Sequence, residues 1–160
     1  MSEQPTFDLH PNQPRWTHIA LRVKNLEASI DWYEKHTPLE VLSRNKDDTG
    51  YGAWLGDPDG RDMPFVLVLA QFFPDKDPFA FAPQERLWPF AHIGIELASK
   101  EAVDAMAERG KAEGTLSFGP MQMPPPIGYI CFVEDPDGNT VEFSYDQGVY
   151  ATARDVWGSD

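Results

Sequence analysis

The sequence is poor in the features that would tie it to an oxidising compartment, a membrane or a nucleic acid. One cysteine, Cys131, stands in 160 residues, so no internal disulfide can form, and a reducing compartment suits the chain. No apolar run outlasts Phe65–Ala70, far below the roughly 20 residues that a membrane helix needs. The first sixteen residues, MSEQPTFDLHPNQPRW, carry no basic start, apolar stretch or small-residue cleavage site. Basic residues are scarce: 13 Lys and Arg face 26 Asp and Glu, a formal net charge of −13. Such a surface repels phosphate backbones and anionic lipid, so no nucleic acid and no membrane is expected as a partner. The expectation is a soluble, cytoplasmic protein.

What the chain does have is itself, twice. Residues 16–23 read WTHIALRV and residues 90–97 read FAHIGIEL, an offset of 92 − 18 = 74 between the histidines. Residues 51–60 read YGAWLGDPDG and 129–138 read YICFVEDPDG, an offset of 135 − 57 = 78. Two matches in the same order at nearly the same spacing point to a tandem duplication. With 41% hydrophobic and 12% aromatic residues, each half has the means to build a core.

The halves predict the same elements. Residues 16–23 alternate like a strand. Asn25 offers an N-cap, Leu26, Ile30 and Tyr33 recur at helical spacing, and Pro38 stops the helix. Strands are expected at 39–44, 52–55 and 64–70, with Asp57-Pro-Asp-Gly60 as a tight turn. In the second half 92–97 predicts a strand and Ser99 an N-cap. Val103, Met106, Ala107 and Gly110 form a helix face, with Gly110 and Gly114 ending the helix. Strands near 116–118, 129–133 and 140–145 follow, with a second Asp-Pro-Asp-Gly turn at 135–138. Residues 72–89, rich in Pro and Phe, join the halves, and 1–14 and 148–160 read as tails.

Alternate strand residues share a face. Ile19, Leu21 and Val23 oppose His18, Ala20 and Arg22; Ile93, Ile95 and Leu97 oppose His92, Gly94 and Glu96; Val141, Phe143 and Tyr145 oppose Thr140, Glu142 and Ser144. His18, His92 and Glu142 thus stand on the polar faces. Two imidazoles and a carboxylate on rigid strands suit one divalent ion (Zn, Ni, Mn or Fe) and leave positions open for substrate.

Strand-His, the helix LEASIDWYEKHTPLEVL, AHIGIEL and VEDPDGNTVEF together resemble the vicinal oxygen chelate superfamily, which includes glyoxalase I, extradiol dioxygenases, fosfomycin-resistance transferases and bleomycin-binding proteins. The resemblance spans residues 15–147 and implies an α+β fold. Modules 15–72 and 88–147 would each be βαβββ and would form one glyoxalase-like domain with a cupped mixed sheet. It places the metal ligands at His18, His92 and Glu142, puts Arg22 where glyoxalase I-like enzymes hold a substrate carboxylate, and implies a homodimer acting on a small-molecule substrate. Those enzymes carry a fourth ligand on the last strand of the first module. Here Pro64 or Val68 falls there, depending on the alignment, and Gln71 is the nearest polar side chain.

The expected activity is a glyoxalase-like lyase or isomerase in which Glu142 is both ligand and base. An extradiol-type dioxygenase and a drug-binding module are the alternatives. Tyr129 is the candidate proton donor beside Glu142, and Trp54 the candidate aromatic wall of the substrate cleft, with Trp88 and Phe90 further candidates. His10 and His36 read as surface residues, Met121–Ile127 as an ordinary loop and Cys131 as core.

Overall fold

Asn25 begins the first helix as its type predicts: its side chain accepts a hydrogen bond from the Ala28 N–H at 3.0 Å, satisfying one of the otherwise unpaired amides of the first turn. Ser99 does the same for Ala102 at 3.2 Å. The computed structural model describes residues 14–60, 64–83 and 85–158. Among these the chain forms two compact units, one ending at Glu85 and one beginning at Arg86.

The first unit contains β1 (His18–Arg22), α1 (Leu26–His36), β2 (Glu40–Lys46), β3 (Gly50–Gly56) and β4 (Val66–Phe72). The second contains β5 (Ile93–Glu96), α2 (Lys100–Glu113), β6 (Leu116–Gln122), β7 (Tyr129–Glu134), β8 (Thr140–Tyr145) and α3 (Val149–Trp157). Each unit holds a four-stranded sheet, in the orders β1-β4-β3-β2 and β5-β8-β7-β6. In both, the first strand lies parallel to the last and the other pairs are antiparallel. βαβββ is therefore present twice, in an α+β fold.

One face of each sheet lies under its helix. Leu26, Ile30 and Tyr33 of α1 are buried with Ala53, Leu55, Leu67 and Leu69. Val103, Met106 and Ala107 of α2 are buried with Cys131, Val133, Val141 and Phe143. Fully burying one such large side chain contributes about 1.5–3 kcal/mol. The Asp-Pro-Asp-Gly turns repeat as well: Gly60 N–H donates to the Asp57 carbonyl at 3.0 Å and Gly138 N–H to that of Asp135 at 2.9 Å.

Four expectations need correction, the first being His36, which is not a surface residue but buried, its ring stacked on Trp32 and its Nδ1 2.8 Å from the Trp32 carbonyl. Gly110 does not end α2, which runs on to Glu113 and stops at Gly114 in the left-handed region, φ 73°. Gly110 is a packing glycine instead: a Cβ there would lie 3.1 Å from Val133 Cγ2. β6 extends to Gln122 rather than stopping near Phe118, with register shifts that absorb the Gly119-Pro120 step. Residues 148–160 are not simply a tail, because 149–157 form α3. None of its side chains is buried, and the helix has no counterpart in the first half, so the duplication did not announce it. The expected tail 1–14 lies, but for Pro14, outside the described residues.

Candidate metal centre

In the second unit the register brings Gly94 of β5 beside Glu142 of β8 and Phe132 of β7 on the other side of Glu142. Glu142 is buried, 4% exposed. A carboxylate so enclosed needs partners, and it has two. Gln147 donates from Nε2 to Glu142 Oε1 at 2.6 Å, and His92 Nε2 stands 3.6 Å from Glu142 Oε2.

His92 is held as tightly. Its Nδ1 lies 2.6 Å from the Phe90 carbonyl. A carbonyl only accepts, so Nδ1 carries a proton, and in the neutral ring it is Nε2 that has the lone pair. The ring stacks on Phe132, centroids 5.4 Å apart, and meets Phe90 edge-on at 6.0 Å. A Cβ added at Gly94 would meet nothing within 4 Å, which leaves the space beside Glu142 open.

The first unit repeats this geometry with different chemistry. β1 pairs His18 with Val66, Ala20 with Val68 and Arg22 with Ala70, and β3 sets Trp54 against Val68. Since His18 corresponds to His92, Ala20 corresponds to Gly94, Val68 to Glu142 and Trp54 to Phe132. Of the two sequence alignments, the register selects Val68, and an isopropyl group stands where the second unit has its carboxylate. Gln71 lies one residue out of phase, on the other face, where its Oε1 accepts from the Leu26 N–H at 2.7 Å. His18 is exposed, with Nδ1 2.8 Å from Thr17 Oγ1.

Arg22 shares the His18 face. It is bound to the segment that follows β4: Asp77 accepts from its Nη1 at 2.7 Å, and it also donates to the carbonyls of Phe79, Ala82 and Pro83. Trp54 is 49% exposed beside a cavity of about 170 Å³ that Asn45, Thr49, Gly52, Val68 and Phe72 also line. Among the described residues no group of three or more His, Cys, Asp or Glu side chains is arranged to hold a metal ion. The three-ligand set expected from the sequence is represented by the pair His92–Glu142.

This donor pair fits a divalent ion. Ligands at the usual 2.0–2.2 Å in tetrahedral geometry stand about 3.4 Å apart, near the spacing found. Both also have the supporting hydrogen bonds typical of metal ligands.

Comparison with known proteins settles the family. The family model described as the glyoxalase/bleomycin resistance protein/dioxygenase superfamily matches residues 15–143. The chain belongs to this superfamily. An uncharacterized protein of Pseudomonas aeruginosa is 37% identical over 134 residues, covering 84% of this chain and 90% of that one. The lactoylglutathione lyase of Neisseria meningitidis is 31% identical over 134 residues, covering 81% and 88%. Among solved structures, the trypanothione-dependent glyoxalase I of Leishmania major aligns with a TM-score of 0.65 at 20% identity, covering 90% of this chain and 95% of that one.

Within this glyoxalase-superfamily chain, Tyr129 does not join Glu142. Strand alternation puts Tyr129 with Cys131 and Val133 on the α2 face and Glu142 on the other. The Tyr129 hydroxyl donates to Asp104 of α2 at 2.5 Å. That bond, with burial, pushes the phenol up to about 12. A phenol that keeps its proton more firmly when folded contributes stability that is complete below pH 10 and lost as pH rises towards 12. Tyr129→Phe is therefore expected to cost about 1 kcal/mol at neutral pH, with the deficit shrinking across pH 10–12 in denaturant titrations and metal uptake unchanged. A loss of metal uptake in this variant would contradict the placement.

Two members of the site were not foreseen, Gln147 and Phe132. Phe132 was legible in principle, as the repeat counterpart of Trp54. Gln147 was not, because it lies beyond the last strand.

Proposed function

We propose that this chain is a metal-dependent lyase or isomerase of the glyoxalase kind, acting on a small substrate that chelates the metal through two adjacent oxygens. The observation that carries the reading is the His92–Glu142 pair, with Nε2 and Oε2 3.6 Å apart and each residue held from behind. His92 and Glu142 would hold the ion. A bound divalent ion supplies Lewis acidity towards neighbouring substrate oxygens.

The protein's own groups do the rest. Glu142 would serve both as a ligand and, once released from the ion, as the base that takes and returns a proton at carbon. The lactoylglutathione lyases at about 30% identity support this class, as does the shared fold. A homodimer, as the family resemblance implies, completes the reading.

Val68 favours one competing reading. With a valine at the counterpart of Glu142, the first module offers no carboxylate as a fourth ligand, and a smaller ligand set also suits a catechol-cleaving dioxygenase. Tyr129, facing α2, leaves that chemistry without its expected acid.

Protein purified without oxygen and without a histidine tag is expected to carry about one equivalent of divalent metal per chain and to convert hemithioacetals of 2-oxoaldehydes to hydroxyacyl thioesters. Iron with turnover of a catechol and none of a hemithioacetal would shift the assignment to the dioxygenase. No metal uptake from zinc, nickel, manganese or iron solutions would overturn both.

A further inference from the structure

The turn after β8 reverses sharply. Asp146, not a glycine, takes φ 59° and Gly148 takes φ 75°, so two residues flanking Gln147 occupy the left-handed region. Aspartate is one of the few non-glycine types that enters that region readily. Here the Gln147 N–H donates to Glu96 Oε1 of β5 at 3.1 Å. Ser144 Oγ donates to Gln147 Oε1 at 3.4 Å, and Gln147 Nε2 donates to Glu142 Oε1 at 2.6 Å. Three contacts therefore fix this one residue, and its side-chain amide ends on the buried carboxylate.

We infer that Gln147 is a positioning residue that commits Glu142 to binding a metal through a single oxygen. The two carboxylate oxygens are engaged differently, with Oε1 accepting from the Gln147 amide and Oε2 facing His92 Nε2. An amide cannot change charge near neutral pH, so the donor on Oε1 does not itself titrate. A carboxylate limited to one oxygen occupies one coordination position rather than two. The position saved is available to a second oxygen of a chelating substrate. The inference rests on the metal-binding reading above and deepens it by naming the residue that fixes how Glu142 would bind.

The test uses cobalt(II) alone as probe, with the full-length wild type, Gln147→Leu and Ser144→Ala. Leucine keeps the size and removes the donor. Cobalt affinity is expected to fall about 10–100-fold in Gln147→Leu, and the visible absorption per bound cobalt is expected to drop as the freed Glu142 oxygen adds a ligand. Ser144→Ala, which removes only the contact to the far end of the amide, is expected to show a smaller shift in the same direction. Unfolding temperature of the metal-free proteins checks that any loss of affinity is not a loss of fold.

Wild type that binds cobalt with an affinity and spectrum unchanged in Gln147→Leu would overturn the inference alone. Gln147→Leu that binds less tightly with an unaltered cobalt spectrum would also overturn it, because a structural role lowers affinity without changing coordination. Wild type that takes up no cobalt would overturn the metal reading, and the positioning role with it.

Discussion

His92→Ala is expected to lose its metal and keep its fold. Removing the imidazole takes away one of the two donors that the second unit brings together and leaves Glu142 and Gln147 paired. Metal affinity should fall by more than about 100-fold, beyond the 10–100-fold typical of losing a supporting residue. The side chain is 27% exposed, and its ring contacts are with Phe90 and Phe132. The metal-free variant should therefore unfold only a few degrees below the metal-free wild type, as a loss of about 1 kcal/mol implies. Metal content by atomic emission, read beside a melting curve, decides the matter. A variant that retains its metal would reduce His92 to an aromatic-cluster residue.

The second large effect concerns backbone room. Gly128, at φ 84°, lies against the turn that carries Gln147, and a Cβ there would collide with the Tyr145 carbonyl and stand 2.6 Å from that of Asp146. Neither carbonyl belongs to a flexible side chain that could swing away. The left-handed conformation costs an alanine about 1–2 kcal/mol and the overlap about as much again. Gly128→Ala should thus lose roughly 3 kcal/mol and melt about 10 °C lower. Gly94→Ala is the control. With open space around it, its stability should stay within about 0.5 kcal/mol of wild type, although the new methyl stands next to Glu142. Equal melting temperatures for Gly128→Ala and wild type would show that the turn yields more readily than its geometry implies.

Much of this could be read from the chain because duplication makes each half a check on the other. Asn25 and Ser99 cap their helices as their types require, and both Asp-Pro-Asp-Gly segments turn as expected. Alternation put His92 and Glu142 on one polar face, and there the structure pairs them. Tyr129 shows where the same rule was available and unused: counting in twos from Cys131 sends it to the α2 face, away from Glu142.

Gln147 shows a different limit. Its reach back to Glu142 depends on a left-handed residue at Asp146, and no pattern of residue types signals such a reversal. Likewise α3 buries nothing, so it left no mark in the hydrophobic pattern that a buried face would leave. Arg22 could be placed on its face but not given its partners, since most of these are carbonyls of a segment without regular structure.

Val68 carries a consequence of another kind. A duplicated fold presents every position twice, and when one copy holds a carboxylate and the other a valine, the two copies are no longer interchangeable. The valine sits on a strand whose opposite face supplies the core residues Leu67 and Leu69, so its identity is uncoupled from folding in a way theirs is not. One position of the first unit is therefore free to differ from its counterpart in the second, and the core beneath it need not change with it.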